Sequence, residues 1–151
     1  MRLLGRFRCE DRAQALVEFA LMLPIFLLVV TGLIDVARAV WQENTLAYAA
    51  REGTRYAIVH GSAGNPRVGP CSMCVNPTTY NLDNVVNLVR NNAVGVYNIT
   101  VTVDYPDGGN SRNQRVSVDA SAPFVPLPSQ YLLNGAFQIT LRGGSQLFIQ
   151  R

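Results

Sequence analysis

Residues 13–40 read AQALVEFALMLPIFLLVVTGLIDVARAV, and the architecture of the chain turns on them. From Phe19 to Ile34 there is no ionisable side chain. At 1.5 Å per residue this run extends roughly 24 Å, somewhat short of a hydrocarbon core of about 30 Å. Extending it back to Ala13 makes it long enough, and then Glu18 lies inside the span. A carboxylate at that depth costs about 2.5–3.5 kcal/mol on insertion scales unless a partner compensates it. Glu18 either marks the membrane edge, with its side chain reaching for headgroups, or is a buried acid that needs a partner. Pro24 lacks an amide hydrogen and predicts a kink within the span.

The flanks set the orientation. Arg2, Arg6, Arg8 and Arg12 precede the apolar run, and Arg38 is the first basic residue after it. An excess of positive charge stays inside, so the N-terminus is expected in the cytoplasm and the remainder outside. Asp35 and Arg38 are three apart on one helical face, and read as an exposed pair of little energetic worth. The helical pattern continues beyond them. Ala37, Val40, Ala47, Ala50, Thr54 and Ala57 recur at steps of three, four and seven, with no proline before Pro66. One helix from about Gln14 to His60 would be roughly 70 Å long. Ala47, Ala50 and Gly53 give it a small-residue face on which a second helix or a sheet can sit closely. The alternative is a shorter anchor helix followed by a separate amphipathic one.

Composition narrows the function. The 151 residues carry 13 basic and 10 acidic side chains, a net charge of +3, and are 15% charged and 48% hydrophobic. Soluble domains are about a quarter charged, and apolar content this high excludes disorder as the main theme. There is no lysine and the arginines are scattered, so no phosphate-facing patch for nucleic acid is expected. An enzyme is the weakest class. The chain has no lysine for a P-loop, no Gly-x-Ser-x-Gly, and His60 as its single histidine. Asp104, Asp107 and Asp119 flank a turn and read as solvated acids rather than a metal site. No metal, cofactor or small-molecule substrate is expected.

Residues 61–80 are rich in glycine, proline, serine and asparagine and read as a loop. Within it, Cys71 and Cys74 form a C-x2-C pair that suits half a zinc site, a redox pair or a local disulfide. Zinc lacks further ligands, and a redox role lacks a βαβ context. Outside the cytoplasm, a disulfide stapling the loop is the plain expectation. Asn81 to Val94 follows as a short amphipathic helix with Leu82, Val85, Val86, Val89 and Ala93 on one face. Val96–Tyr105 and Gln114–Ala122 alternate as strands around a PDGGNSRN turn. Phe124–Pro128 reads as a rigid extended link, Phe137–Leu141 as a third strand, and Gln146–Ile149 as a possible fourth. The fold class expected is α+β, a long N-terminal transmembrane helix packed against a small antiparallel sheet with one short helix.

The N-terminal residues resemble a known group. A short basic leader, then Ala13-Gln14-Ala15-Leu16-Val17-Glu18-Phe19, then Leu23-Pro24 and a long apolar run, resembles the class III signal peptides of type IV pilins. The fuller string is similar to the TadE-like pseudopilins, or minor pilins, of tight-adherence (Flp) pilus systems. That resemblance implies a prepilin peptidase cut after Ala13, where the family usually has glycine, leaving Gln14 as the first residue and Glu18 as the fifth. It implies subunit docking through Glu18 and Phe19. The partners it implies are the inner membrane, the prepilin peptidase, the major Flp-type pilin, other pseudopilins and the inner-membrane platform. The organisation expected is a leader over 1–13, a transmembrane and stalk helix over 14–60, a loop over 61–80 and a small extracytoplasmic α+β domain over 81–151. It would be a single-pass protein of the bacterial inner membrane, and one that can also enter the pilus. A competing reading takes Ala37-Arg38-Ala39 as a signal-peptidase site that releases a secreted or surface binding domain.

Overall fold

The computed structural model describes residues 4–70, 82–132 and 134–150, with side chains described from residue 13 onward except for Leu132. Helix α1 (Leu4–Val59) is one unbroken run of 56 residues that includes Pro24, about 84 Å long. It starts ten residues before the expected Gln14, because the leader contains no proline and Gly5 as its only glycine. Helix α2 (Leu82–Asn92) buries Val85 and Val89, with Ala93 buried just beyond it. Asp83 in its first turn and Arg90 in its last both complement the helix dipole.

Three strands form one antiparallel sheet, with β2 (Arg115–Phe124) between β1 (Thr100–Asp104) and β3 (Ile139–Phe148). The β1–β2 register pairs Val101 with Ala120 and Val103 with Val118. Val116, Val118, Ala120, Ala122 and Phe124 alternate inward along β2, the period-two pattern of a sheet with one covered face. That face packs on the upper part of α1 through Leu46, Ala49, Ala50 and Ala57, with α2 closing the other side.

The expected third and fourth strands are one. β3 continues through Gly143 and Gly144, which pair with Ala120 and Asp119. The glycines, which fall between the two expected strands, mark where the sheet crosses the helix. A Cβ on Gly143 would overlap the Ala47 backbone and lie 2.6 Å from Ala47 Cα. Only a residue without a side chain lets strand and helix backbones come so close.

The expected extended link also differs. After Phe124 the chain turns into a short helix, α3 (Leu127–Leu132), with Leu127 and Pro128 in its first turn, where a missing N–H costs little. Of the loop, residues 61–70 are described. Val68 is buried and its carbonyl accepts from the Asn110 side chain at 3.0 Å, while Ser62 N–H donates to Asn110 O at 3.0 Å. Gly69, at φ 98°, faces the Tyr105 ring closely enough that a Cβ would lie 2.7 Å from Cε1. Cys71 and Cys74 lie outside the described residues.

Candidate functional site

Along α1 the environment changes completely. The most apolar stretch of the helix is long and apolar enough to cross a membrane and none of it is buried against the rest of the chain. Leu16, Phe19, Leu21, Met22, Ile25 and Phe26 are each exposed by 60% or more. A soluble helix does not present such a surface to water, so this length of α1 is a surface made for lipid or for other helices. Ala13 and Gln14 are exposed on the same length of helix. Gln14 Nε2 donates to Glu18 Oε1 at 3.1 Å, one turn further along. Among the described residues Glu18 has no ion pair. Its carboxylate therefore has an amide to soften its burial and no cation to neutralise it.

At the other end of the apolar run sits a group the sequence reading misplaced. Asp35 is buried, 6% exposed. One of its oxygens accepts from Arg38 Nη1 at 2.8 Å, and the other accepts the Leu127 backbone N–H at 2.7 Å. The pair is thus not a surface ornament. Asp35 caps the start of α3 from another element, and Arg38 completes the site with its guanidinium 5.4 Å from the Phe124 ring centroid. The charge-assisted bonds on both carboxylate oxygens offset the cost of burying it. Sequence reasoning missed this contact because it joins residues 92 positions apart.

The stripe that packs above Asp35 keeps the upper half of the expected face, with Ala50, Thr54 and Ala57 buried, and corrects its lower half. Ala37 and Val40 are exposed, whereas Ala39 and Gln42 are half-buried and Leu46, Ala49, Ala50, Gly53 and Ala57 are buried. The steps from Asp35 through Ala39, Gln42, Leu46, Ala49, Gly53 and Ala57 are the threes and fours of one helical face. Polar members at its lower end hid it. The small residues behave as expected: Gly53 admits Val89, whose Cγ2 would lie 2.5 Å from an added Cβ. Thr54 satisfies its buried hydroxyl on Ala50 O at 2.8 Å.

Two of the acids around the hairpin, Asp107 and Asp119, are engaged with neighbours. Asp107 accepts from Arg115 Nη2 at 2.7 Å and from its backbone N–H at 2.8 Å, and these bonds hold its carboxyl below the usual range. Asp119 takes a bond from Ser117 at 3.3 Å. His60 donates from Nδ1 to Tyr56 O at 2.8 Å and stacks on that ring with centroids 4.0 Å apart. Among the described residues no group of three or more His, Cys, Asp and Glu is placed to hold a metal.

Tyr105 is the exception in polar satisfaction. Its hydroxyl is buried with no hydrogen-bond partner among the described residues, and burial pushes its pKa from 10.0 to about 12.

No curated protein and no solved structure matches the chain. The model of the family described as TadE-like protein matches residues 13–55, the length of α1 that carries Glu18, Asp35 and most of the small-residue stripe, and over those residues this chain is similar to TadE-like proteins.

Proposed function

We propose that this protein is a pilin-like subunit that supports assembly of a tight-adherence pilus. A prepilin peptidase removes residues 1–13, and the chain docks onto other pilin-like subunits through the exposed length of α1. The observation that carries this reading is the contrast along a single helix. Its upper part is committed to the domain, while from Ala13 to Ile34 it is apolar, mostly exposed and carries Glu18 as its one carboxylate.

Cleavage before Gln14 creates an α-amino group one helical turn from Glu18. That cation compensates the acid within a subunit or between axially staggered subunits, which lowers the cost of keeping either in lipid. Helix-to-helix packing along Leu16–Phe26 then replaces lipid contact by subunit contact, and the α+β domain decorates the assembly. Partners in this reading are the prepilin peptidase, the major Flp-type pilin, other pseudopilins and the inner-membrane platform. The N-terminus lies in the cytoplasm and the domain outside.

The competing signal-peptidase cut after Ala39 would discard Asp35 and Arg38. The acceptor for Leu127 N–H and the cation over Phe124 would both be lost, which favours retention of the helix. The test is Glu18→Ala in cells that make the pilus. Membrane insertion should be unimpaired, since the span becomes more apolar, while pilus number falls sharply. Normal piliation would remove the docking role from Glu18.

A further inference from the structure

The chain's two longest stretches without Asp, Glu, Lys, Arg or His are Phe19–Ile34 and Ala120–Leu141. The fold brings them together. Between Leu28 and Thr31 of α1 and Leu127, Pro128 and Tyr131 of α3 runs an apolar cleft of about 450 Å³ that reaches down to Pro24. We propose that α3 is a foot set into the outer leaflet of the membrane, its Leu127–Pro128–Tyr131 face lying among lipid at the boundary of headgroups and acyl chains. This rests on α1 spanning the membrane as proposed above.

Depth supports it. Asp35, the first acid beyond the apolar run, holds the top of α3 by the Leu127 N–H. Pro24 lies eleven residues below Asp35 along α1, about 16 Å, and a six-residue helix reaches about 9 Å of that. Interfacial elements sit about 5–10 Å into the headgroup and acyl boundary. Any bilayer placed around Phe19–Ile34 therefore meets α3.

The backbone is prepared for such a place. Polar groups facing lipid must be satisfied within the protein. Leu127 N–H is taken by Asp35, and Pro126 and Pro128 have no N–H to satisfy. Gln130 N–H donates to Pro126 O at 2.9 Å and Gly135 N–H to Ser129 O at 2.8 Å. The Ser129 hydroxyl donates to Phe137 O at 2.8 Å and accepts Phe137 N–H at 2.9 Å. On the α1 side, Thr31 bonds back to Leu27 O at 2.9 Å. Tyr131 is 77% exposed and Phe137 58%, and aromatic rings, tyrosine above all, settle where hydrocarbon meets headgroup. An element with these bonds closed and its aromatic groups outward fits a lipid boundary better than open water.

The test uses the full chain in phosphatidylethanolamine–phosphatidylglycerol vesicles. Trp41 is the chain's only tryptophan, so a Trp41→Phe background leaves one reporter at a time. Tyr131→Trp, at an exposed site that tolerates the ring, should emit blue-shifted light and lose emission to lipids brominated near the headgroup end of the acyl chain. Val59→Trp, at the far end of α1, should emit as in water and lose none. Leu21→Trp should be quenched by lipids brominated near the chain end. If Leu21→Trp is unquenched, the membrane span itself is wrong, and the foot falls with it. If Leu21→Trp is quenched while Tyr131→Trp loses no emission to any brominated lipid, the span stands and the foot is overturned, with water on that face if the emission is red and a second copy of the chain if it is blue-shifted.

Discussion

The lower and upper parts of α1 are one continuous helix, yet they obey different rules. Below Asp35 the side chains are large and apolar, and none of the most apolar stretch is buried against the chain. Above it the residues that turn inward are mostly small: Ala49, Ala50, Gly53 and Ala57 are buried beside Leu46. Large side chains all round a helix suit lipid or a neighbouring helix, which adapt to any shape. Small ones suit a fixed partner whose backbone must come close. Hydrophobicity alone thus does not say where a helix docks; side-chain size along one face does.

That contrast predicts a graded response to substitution. The largest effect belongs at the closest contact. Gly143→Val should destabilise the domain by about 3 kcal/mol or more, since both obstructing groups are backbone and neither can yield. Thermal unfolding of the detergent-solubilised protein would read it, and a near-native midpoint would mean that helix and sheet are not held in this register.

Asp35→Ala comes next, at about 1–3 kcal/mol, because it strands the Leu127 N–H and leaves Arg38 without its carboxylate. Hydrogen exchange at Leu127 should accelerate, and Asp35→Asn, which keeps an acceptor, should recover part of the protection. If Leu127 exchanges equally in both variants and the parent, Asp35 is not its partner in solution.

Tyr105→Phe should shift stability by under about 1 kcal/mol near neutrality, because the hydroxyl it removes has no partner. Its signature lies in alkali. The unfolded chain loses the phenolic proton near 10.0 and the folded chain near 12. The unfolded state therefore binds fewer protons between those values, and stability falls as pH rises through that window. The phenylalanine variant should lose less stability across it than the parent. Identical alkaline limbs would show that the ring is solvated.

The smallest effect on stability is expected at Glu18. Its alanine variant touches nothing in the domain, so the folded domain should melt as the parent does while assembly suffers.

The long helix, the small-residue contact and the helix-plus-sheet architecture were legible because each is a periodic pattern of local origin. Val116, Val118 and Ala120 alternate inward as their sequence says. What was not legible came from contacts between distant segments. Asp35 meets Leu127 across 92 positions, and nothing near Asp35 in sequence announces that. Gly143 and Gly144 fall between the two expected strands, and glycine inside a strand marks a close approach of another backbone. Here the reason for them is Ala47 on another element. Phe124–Pro128 read as extended because of its prolines, but Pro128 sits where a helix begins and costs it no bond. Of the candidate site, the exposed apolar helix was legible, as were Ala50, Thr54 and Ala57 of the buried stripe, while the lower half of that stripe was displaced because Asp35 and Gln42 interrupt its apolar character.

The central claim is that α1 is a retained, pilin-type docking helix, and the mature N-terminus tests it most directly. Mass spectrometry of the protein from membrane and medium fractions should find a chain that begins at Gln14. A chain beginning at Val40 in the medium, or one that still carries its first thirteen residues, would contradict it.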